Sequence, residues 1–324
     1  MLEQQIFSIA SQQDFDRVAL SVFQYQFEHV ETYRKYAIYL DKTPANVGSL
    51  AEIPFLPIEF FKKFPIISSE KKPTISFTSS GTTGSVTSEH LVADLSIYRK
   101  SFLNGFRHFY GDPTNFTILA LLPSYLEREG SSLVYMADAL IAETKDQNSG
   151  FYLYELESLA QKLAQLDSDG KPILLLGVSY ALLDLIDQRS FQLKNTYVME
   201  TGGMKGKRKE MIKEALHERL KVGFGVKAIH SEYGMTELLS QAYSKGQGHF
   251  SCPPWMQVFT RDTEDPLTLI QGKTGGINVI DLANLYSCSF IATQDLGKVA
   301  RHGSFEILGR FDTSDIRGCN LMVL

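Results

Sequence analysis

The stretch FTSSGTTGS, Phe77 to Ser85, sets five hydroxyl residues, Ser79, Ser80, Thr82, Thr83 and Ser85, around Gly81 and Gly84. Glycine admits backbone conformations in which successive N–H groups converge, and hydroxyls add further donors, so a bend of this composition can wrap an anion. It is not a Walker A loop, which ends in a Gly-Lys-Ser/Thr step that these residues lack. Taken alone, the bend reads equally as an ordinary polar turn. Its meaning depends on what lies on either side.

Downstream, apolar strand-like runs alternate with amphipathic segments. LSIYRKSFLNGFRHFYG, SSLVYMADALIAE, ELESLAQKLAQLD, SYALLDLIDQRS and KRKEMIKEALHERLK read as helices, while NFTILALLP, KPILLLG, NTYVMETGG and VKAIHSEYG read as strands. Strands alternating with helices predict an α/β fold with a mostly parallel sheet covered on both faces. In such folds ligands sit at the C-terminal ends of the strands.

Upstream, QQDFDRVALSVFQYQFEHVETYRKYAIYLD has helical spacing after a polar start, and Pro54, Pro57 and Pro65 then predict a winding connection without a continuous helix. From WMQVFTRD onward the pattern changes to short β-like runs, LTLI, GGINVIDL, SCSFIATQD and SFEILGRFD, which suggest a small antiparallel section or distorted barrel. The expected organisation is a helical N-terminus plus α/β core over residues 1–250 and a β-rich section over 251–324.

The 324 residues are 44% hydrophobic and 21% charged, as in soluble globular proteins, and the formal charge of −5 gives no global attraction to nucleic acid or an anionic membrane. One local exception, KGKRKE with Lys205, Lys207, Arg208 and Lys209, reads as a solvated helix start or as a patch for phosphates or an acidic partner. Cys252, Cys288 and Cys319 form neither a disulfide framework nor a CxxC metal pair, the stretch MLEQQIFSIASQQDF lacks the basic-then-apolar order of a signal peptide, and no uninterrupted apolar run approaches a membrane span. A cytoplasmic location is the expectation.

A second motif gives the hydroxyl bend its context. In HSEYGMTELLS, His230 to Ser240, Tyr233 offers a flat face for a base, Thr236 a donor for a phosphate oxygen and Glu237 a hard oxygen ligand for Mg²⁺. The ordered set FTSSGTTGS, TGGMKG, YGMTE, TQDLG and LGRFD resembles the signature series of the adenylate-forming superfamily, which includes acyl-CoA ligases, firefly-type luciferases and peptide-synthetase adenylation domains. With its short length and its ending DIRGCNLMVL, the chain most resembles the LuxE-like acyl-protein synthetases of bacterial bioluminescence, over roughly residues 55 to 324.

The resemblance implies that Ser79, Ser80, Gly81, Thr82, Thr83 and Gly84 hold the phosphates of ATP, and that Gly202 and Gly203 line the adenine. It implies that Tyr233, with Gly234 beside it, stacks on the base, that Thr236 contacts the α-phosphate and that Glu237 binds Mg²⁺. Asp295 would bind the ribose hydroxyls, Arg310 would assist from the ribose or phosphate side, and Asp312 matches the superfamily's hinge. Cys319, beside Gly318 and near Arg317, matches a cysteine that is acylated in the LuxE-like family, and a thiolate there is a competent nucleophile; read without the family it is a small apolar side chain in a last strand.

Two departures accompany the likeness. The superfamily's phosphate loop continues through a proline and a lysine, whereas Val86, Thr87, Ser88, Glu89 and His90 follow here, leaving Lys205 or Lys207 as local substitutes. Full-size relatives continue into a mobile C-terminal domain whose lysine assists adenylation, and that domain is expected to be absent here. The implied activity is ATP-dependent activation of a carboxylic acid, in the family a fatty acid, with acyl transfer to Cys319, to an acyl carrier protein or to CoA, and with a reductase as a further partner class. The rival readings are an ATP-independent acyltransferase working through Cys319 and a non-catalytic nucleotide-binding subunit.

Overall fold

The computed structural model describes residues 1–79, 87–123, 130–202, 208 and 211–311. Ser80, Gly81, Thr82, Thr83, Gly84, Gly203, Lys205, Lys207, Asp312 and Cys319 therefore lie outside the described residues. The chain forms two compact units, one of Met1–Lys71 with Pro254–Leu324 and one of Lys72–Pro253.

The first unit begins with helices α1 (Leu2–Ile6), α2 (Gln12–His29) and α3 (Glu31–Tyr39). Ser11 starts α2 because its side chain accepts from the Asp14 amide, and Phe15, Val18, Ala19, Val22 and Phe23 then recur at helical spacing and are buried. The proline-punctuated stretch holds two short 3₁₀ turns, Leu50–Glu52 and Ile58–Lys62, on either side of strand β1 (Leu56–Pro57), as the prolines require. After the second unit the chain returns as β11 (Met256–Arg261), β12 (Leu269–Ile270), β13 (Gly275–Asp281), β14 (Phe290–Val299) and β15 (Phe305–Arg310). These pair antiparallel in the order β12-β11-β13-β14-β15, and β1 adds parallel to β14.

This division departs from a linear cut at residue 250. The N-terminal helices pack with the C-terminal strands, and Gln26 of α2 shows why. It is buried, its side-chain amide donates to Asn284 O at 2.9 Å, Leu285 O at 3.0 Å and Ser289 Oγ at 3.1 Å, and its Oε1 accepts from the Ser289 amide. A buried amide must find such partners, and here they come from the far end of the chain.

The second unit opens with an antiparallel hairpin, β2 (Ile75–Thr78) and β3 (Glu89–Val92). Its main sheet contains β4 (Thr117–Leu121), β5 (Gly150–Tyr152), β6 (Ile173–Val178), β7 (Thr196–Thr201) and β8 (His230–Tyr233), all parallel in the order β5-β4-β6-β7-β8. Antiparallel β9 (Ala242–Ser244) and β10 (Phe250–Ser251) extend it beyond β8. Helices α4 (Leu95–Tyr110), α5 (Ser132–Thr144), α6 (Leu156–Asp169), α7 (Ser179–Gln188) and α8 (Lys213–Phe224) alternate with these strands.

Every residue of β4 and β6 is buried, as expected of parallel strands covered on both faces, and each fully buried leucine contributes about 1.5–3 kcal/mol. Asp94 caps α4 by accepting from the Ser96 amide, and Ser131 caps α5 by accepting from that of Val134. The sequence pattern did not reveal β5. Its three half-buried residues at the sheet edge are too short to show a period.

Candidate active site

The candidate site collects at the C-terminal ends of the parallel strands. Past β8 the chain turns through Gly234, Met235, Thr236 and Glu237, closed by the Leu238 amide donating to Met235 O at 3.2 Å. A Cβ at Gly234 would overlap Glu232 Oε1, so any larger residue at this bend would have to displace that carboxyl. Thr236 is half-buried and Glu237 is 5% exposed. The neighbouring strand β7 ends at Gly202, whose φ of 67° is readily adopted only by glycine, and Ser179 at the start of α7 donates its hydroxyl to Gly202 O at 2.8 Å. Tyr233 is buried, with its ring 5.8 Å from that of Phe250.

The β2–β3 hairpin, whose connection carries the hydroxyl-rich sequence, is tied to this turn through β3. The Ser79 amide donates to Ser88 O at 3.0 Å, and the Ser88 amide donates to Ser79 Oγ at 2.9 Å, so the two ends of the bend are clamped together. Two residues beyond Ser88, His90 is fully buried and its Nδ1 donates to Thr236 O at 2.8 Å. That bond ties the hairpin to the YGMTE turn and fixes the histidine tautomer, since a carbonyl can only accept. His90 was missed as a positioning residue. Its place within β3, eleven residues after the bend's first glycyl-flanking serine, Ser79, was the available sign.

Beneath the strand ends lies a buried polar cluster. Glu200 on β7 meets His217 Nε2 at 3.4 Å and Lys213 Nζ at 3.2 Å, both from α8. Burial alone would raise the Glu200 pKa, but the His217 hydrogen bond, the Lys213 charge and the Ser231 hydroxyl outweigh it and hold the carboxyl at about 2. Glu232, on the adjacent strand, accepts from Thr201 Oγ1 at 2.5 Å. Burial, opposed by the Thr201 bond and the Lys213 charge and reinforced by the Glu200 charge, pushes Glu232 up to about 7. His230, at the start of β8, meets Tyr110 Oη through Nδ1 at 3.1 Å, and burial together with the Lys245 charge lowers it to about 4. It is a neutral packing histidine.

In the first unit, Asp295 and Arg310 face each other across β14 and β15, in register, with Arg310 Nε 3.5 Å from Asp295 Oδ1. The carboxylate is 7% exposed and the arginine is exposed. Below this pair, Arg261 of β11 is buried. Its Nη1 donates to Ile277 O at 2.7 Å and Asn278 Oδ1 at 2.8 Å, and its Nη2 to Thr293 O at 2.5 Å. Gly276 makes room for it, since a Cβ there would overlap the guanidinium. Burial lowers the Arg261 pKa, with the charges of Glu59 and Asp295 opposing that shift. Arg261 had no motif to announce it.

Cys288 is a packing residue: it is fully buried, and burial pushes its thiol up to about 12. Among the described residues no group of three histidine, cysteine or carboxylate side chains is placed to hold a metal. A single buried carboxylate such as Glu237 nonetheless suits Mg²⁺, which takes one or two protein carboxylates and completes its shell with substrate phosphates and water. Among the described residues no helix is long and apolar enough to cross a membrane.

The family described as acyl-protein synthetase, LuxE, matches residues 6–324. No curated protein matches the sequence. Among solved structures, 2-hydroxyisobutyryl-CoA ligase in an open conformation with 2-HIB-AMP and CoA is similar at TM-score 0.69 and 13% identity, over 93% of this chain and 71% of that one. The same ligase in its postadenylation state, with R3-HIB-AMP, is similar at TM-score 0.69 and 12% identity, over 94% and 69%. ATP-bound MatB from Rhodopseudomonas palustris is similar at TM-score 0.55 and 18% identity, over 72% of this chain and 47% of that one, so this chain spans about half its length. These likenesses give the α/β fold of adenylate-forming ligases.

Proposed function

The chain belongs to the LuxE acyl-protein synthetase family of ligases, and from that premise we propose that it activates a carboxylic acid with ATP and passes the acyl group to a thiol. One carboxylate oxygen of the acid attacks the α-phosphorus, the bond from that phosphorus to the bridging oxygen breaks, and pyrophosphate leaves with the electron pair. A thiolate then attacks the acyl carbon and AMP departs as the leaving group. The thiol is that of Cys319, of a carrier's pantetheine or of CoA. The acid is a fatty acid or one of similar length.

The observation that carries this reading is the His90–Thr236 bond, which ties the β2–β3 hairpin, clamped at Ser79 and Ser88, to the YGMTE turn at the C-terminal edge of a parallel sheet. Phosphoryl and nucleotidyl transfer depend on positioning and charge neutralisation more than on covalent work by the protein, and both need such fixed donors. In this reading Ser79, Ser80, Gly81, Thr82, Thr83 and Gly84 surround the phosphates, with the glycines allowing close backbone approach. Thr236 donates to an α-phosphate oxygen, and Glu237 supplies the carboxylate for Mg²⁺, which would neutralise phosphate charge. Gly202, Gly203, Tyr233 and Gly234 bound the adenine, and Asp295 accepts from the ribose hydroxyls with Arg310 holding its carboxylate.

Carboxylate-dependent exchange of labelled pyrophosphate into ATP tests the first step directly. Exchange with fatty acids of some chain length is expected. A folded protein that exchanges with no member of a broad acid panel, yet takes label onto Cys319 from an acyl thioester without nucleotide, would replace this reading with the ATP-independent acyltransferase.

A further inference from the structure

We propose that a lysine-rimmed cleft in the Lys72–Pro253 unit is a second anion site, which takes a small molecule carrying two or more phosphate groups. The cleft, of about 740 Å³, runs along α8 and the turn between β9 and β10. That volume suits a nucleotide-sized ligand. Lys227 lies before β8, whereas the YGMTE turn follows that strand, so this cleft opens on different chain segments from the candidate active site.

Charge defines what the cleft can hold. Lys213, Lys221, Lys227 and Lys245 line it against two carboxylates, Glu214 and Glu218. Lys221 is occupied by Glu218 at 2.5 Å and Lys213 by Glu200 at 3.2 Å. Lys227 and Lys245 are both exposed and make no ion pair with a carboxylate among the described residues. Lys245 Nζ sits 5.5 Å from the centroid of the Tyr110 ring instead, which fixes its stem and leaves its charge uncompensated. These two ammonium groups, set against the one carboxylate of the lining for which no ion pair is found among the described residues, Glu214, leave the cleft net positive and favour an anion in it. They disfavour a cation or an apolar ligand.

The backbone adds a second, independent observation. The turn KGQGH, Lys245 to His249, holds three successive residues at positive φ: Gly246 at 140°, Gln247 at 58° and Gly248 at 73°. Gln247 carries a side chain in a conformation that disfavours one, and such strain collects at ligand-binding turns. The turn is held by Ser244, whose hydroxyl donates to Gly246 O at 3.0 Å, while the Gln247 and Gly248 amides have no backbone acceptor among the described residues. Both residues line the cleft, and successive amides of this kind form the concavities that receive phosphate oxygens. Half-buried Phe109 and buried Tyr243 and Ile229 supply an apolar wall for the body of the ligand.

The test reads the two unpaired lysines directly. The full chain is acetylated with an amine-reactive reagent in the presence of adenosine 3′,5′-bisphosphate or of inorganic pyrophosphate, and each lysine's rate is followed by mass spectrometry. Neither probe supports acyl activation, and the rates are read at Lys227 and Lys245 themselves, so binding of pyrophosphate at the candidate active site does not enter this readout. Both Lys227 and Lys245 are expected to slow about fivefold or more at saturating probe, as occupancy requires, with no change at Lys35, which is exposed on α3 and paired with Glu31. Protection by both probes shows that phosphate alone is recognised, and protection by the bisphosphate alone shows that the nucleoside body contributes; either supports the site. Unchanged rates at Lys227 and Lys245 with both probes overturn it. By calorimetry the Lys227→Ala/Lys245→Ala double variant should bind the protecting probe about tenfold or more weakly, and the double arginine variant should bind like the wild type. An alanine variant with wild-type affinity also overturns the proposal.

Discussion

The parallel strands of the Lys72–Pro253 unit and the antiparallel strands of the other unit put their polar chemistry in different places. β4 and β6 are buried at every position and carry chemistry only where they end, at Ser179 after β6 and, on the neighbouring strands, at Gly202 and the YGMTE turn. β11 and β14 alternate between buried and half-buried positions, and their polar groups, Arg261 and Asp295, lie within the strands. A parallel strand covered on both faces has no solvated side to offer, whereas an antiparallel strand can turn alternate residues to a polar environment. The lesson is that the first unit's chemistry is bound up with its stability, while much of the second unit's chemistry is separable from it.

The largest test of that contrast is Arg261→Met. Methionine keeps much of the volume but removes the guanidinium donors from Asn278 Oδ1 and Thr293 O, leaving Ile277 O its bond from Thr293 Oγ1, so a loss of about 3–5 kcal/mol in urea denaturation is expected. A loss under about 1 kcal/mol would mean that the strands hold without their buried ion.

Next in size is the pH response of Glu232, an exception to the rule that the parallel strands keep chemistry at their ends. Its folded pKa of about 7 lies above the ordinary carboxyl value, so below that ordinary value both states are protonated and the full stability is present. As pH rises, the unfolded chain releases its proton first, and stability declines by up to about 3 kcal/mol until the folded carboxyl has titrated. Glu232→Gln should remove this slope, so its thermal midpoint should gain on the wild type's from about pH 5 to about pH 8. Parallel curves would refute the assignment. Glu200 acts in the opposite sense: its stabilisation is present above the ordinary carboxyl range and is lost as pH falls towards about 2.

Thr236→Ala separates activity from stability in the second unit. The half-buried hydroxyl is proposed to meet the α-phosphate, while the backbone carbonyl that holds His90 is untouched. Pyrophosphate exchange should fall about a hundredfold, with stability within about 0.5 kcal/mol of the wild type. The smallest effect on folding belongs to Arg310→Ala. Its guanidinium is exposed and its pairing with Asp295 is long, so unfolding should shift by less than about 0.5 kcal/mol while the apparent affinity for ATP weakens. A larger stability loss than that of Arg261→Met would invert the comparison.

Much of this was written in local pattern. Helical spacing located α2 and α4 to α8, uninterrupted apolar runs located β4 and β6, and the ordered motifs identified the adenylate-forming fold, because periodicity and turn chemistry are properties of neighbouring residues. What depended on distant residues was not legible. Arg261 is one arginine in TRDTED until Ile277, Asn278 and Thr293 surround it, and Lys227 and Lys245 are ordinary surface lysines until a hairpin turn sets them on one cleft.

The amino-acid sequence by itself determined most of the segments that become helices and strands, β5 excepted, and which turns carry glycine, hydroxyl and carboxylate groups in the order an adenylate-forming ligase uses. Tertiary structure alone decided that residues 1–71 join the C-terminal strands, that His90 meets Thr236, and that Glu232 and Glu200 titrate in opposite directions. The physical reason is that a buried polar group takes its energy from whichever partner reaches it, and for Gln26 that partner lies 263 residues away.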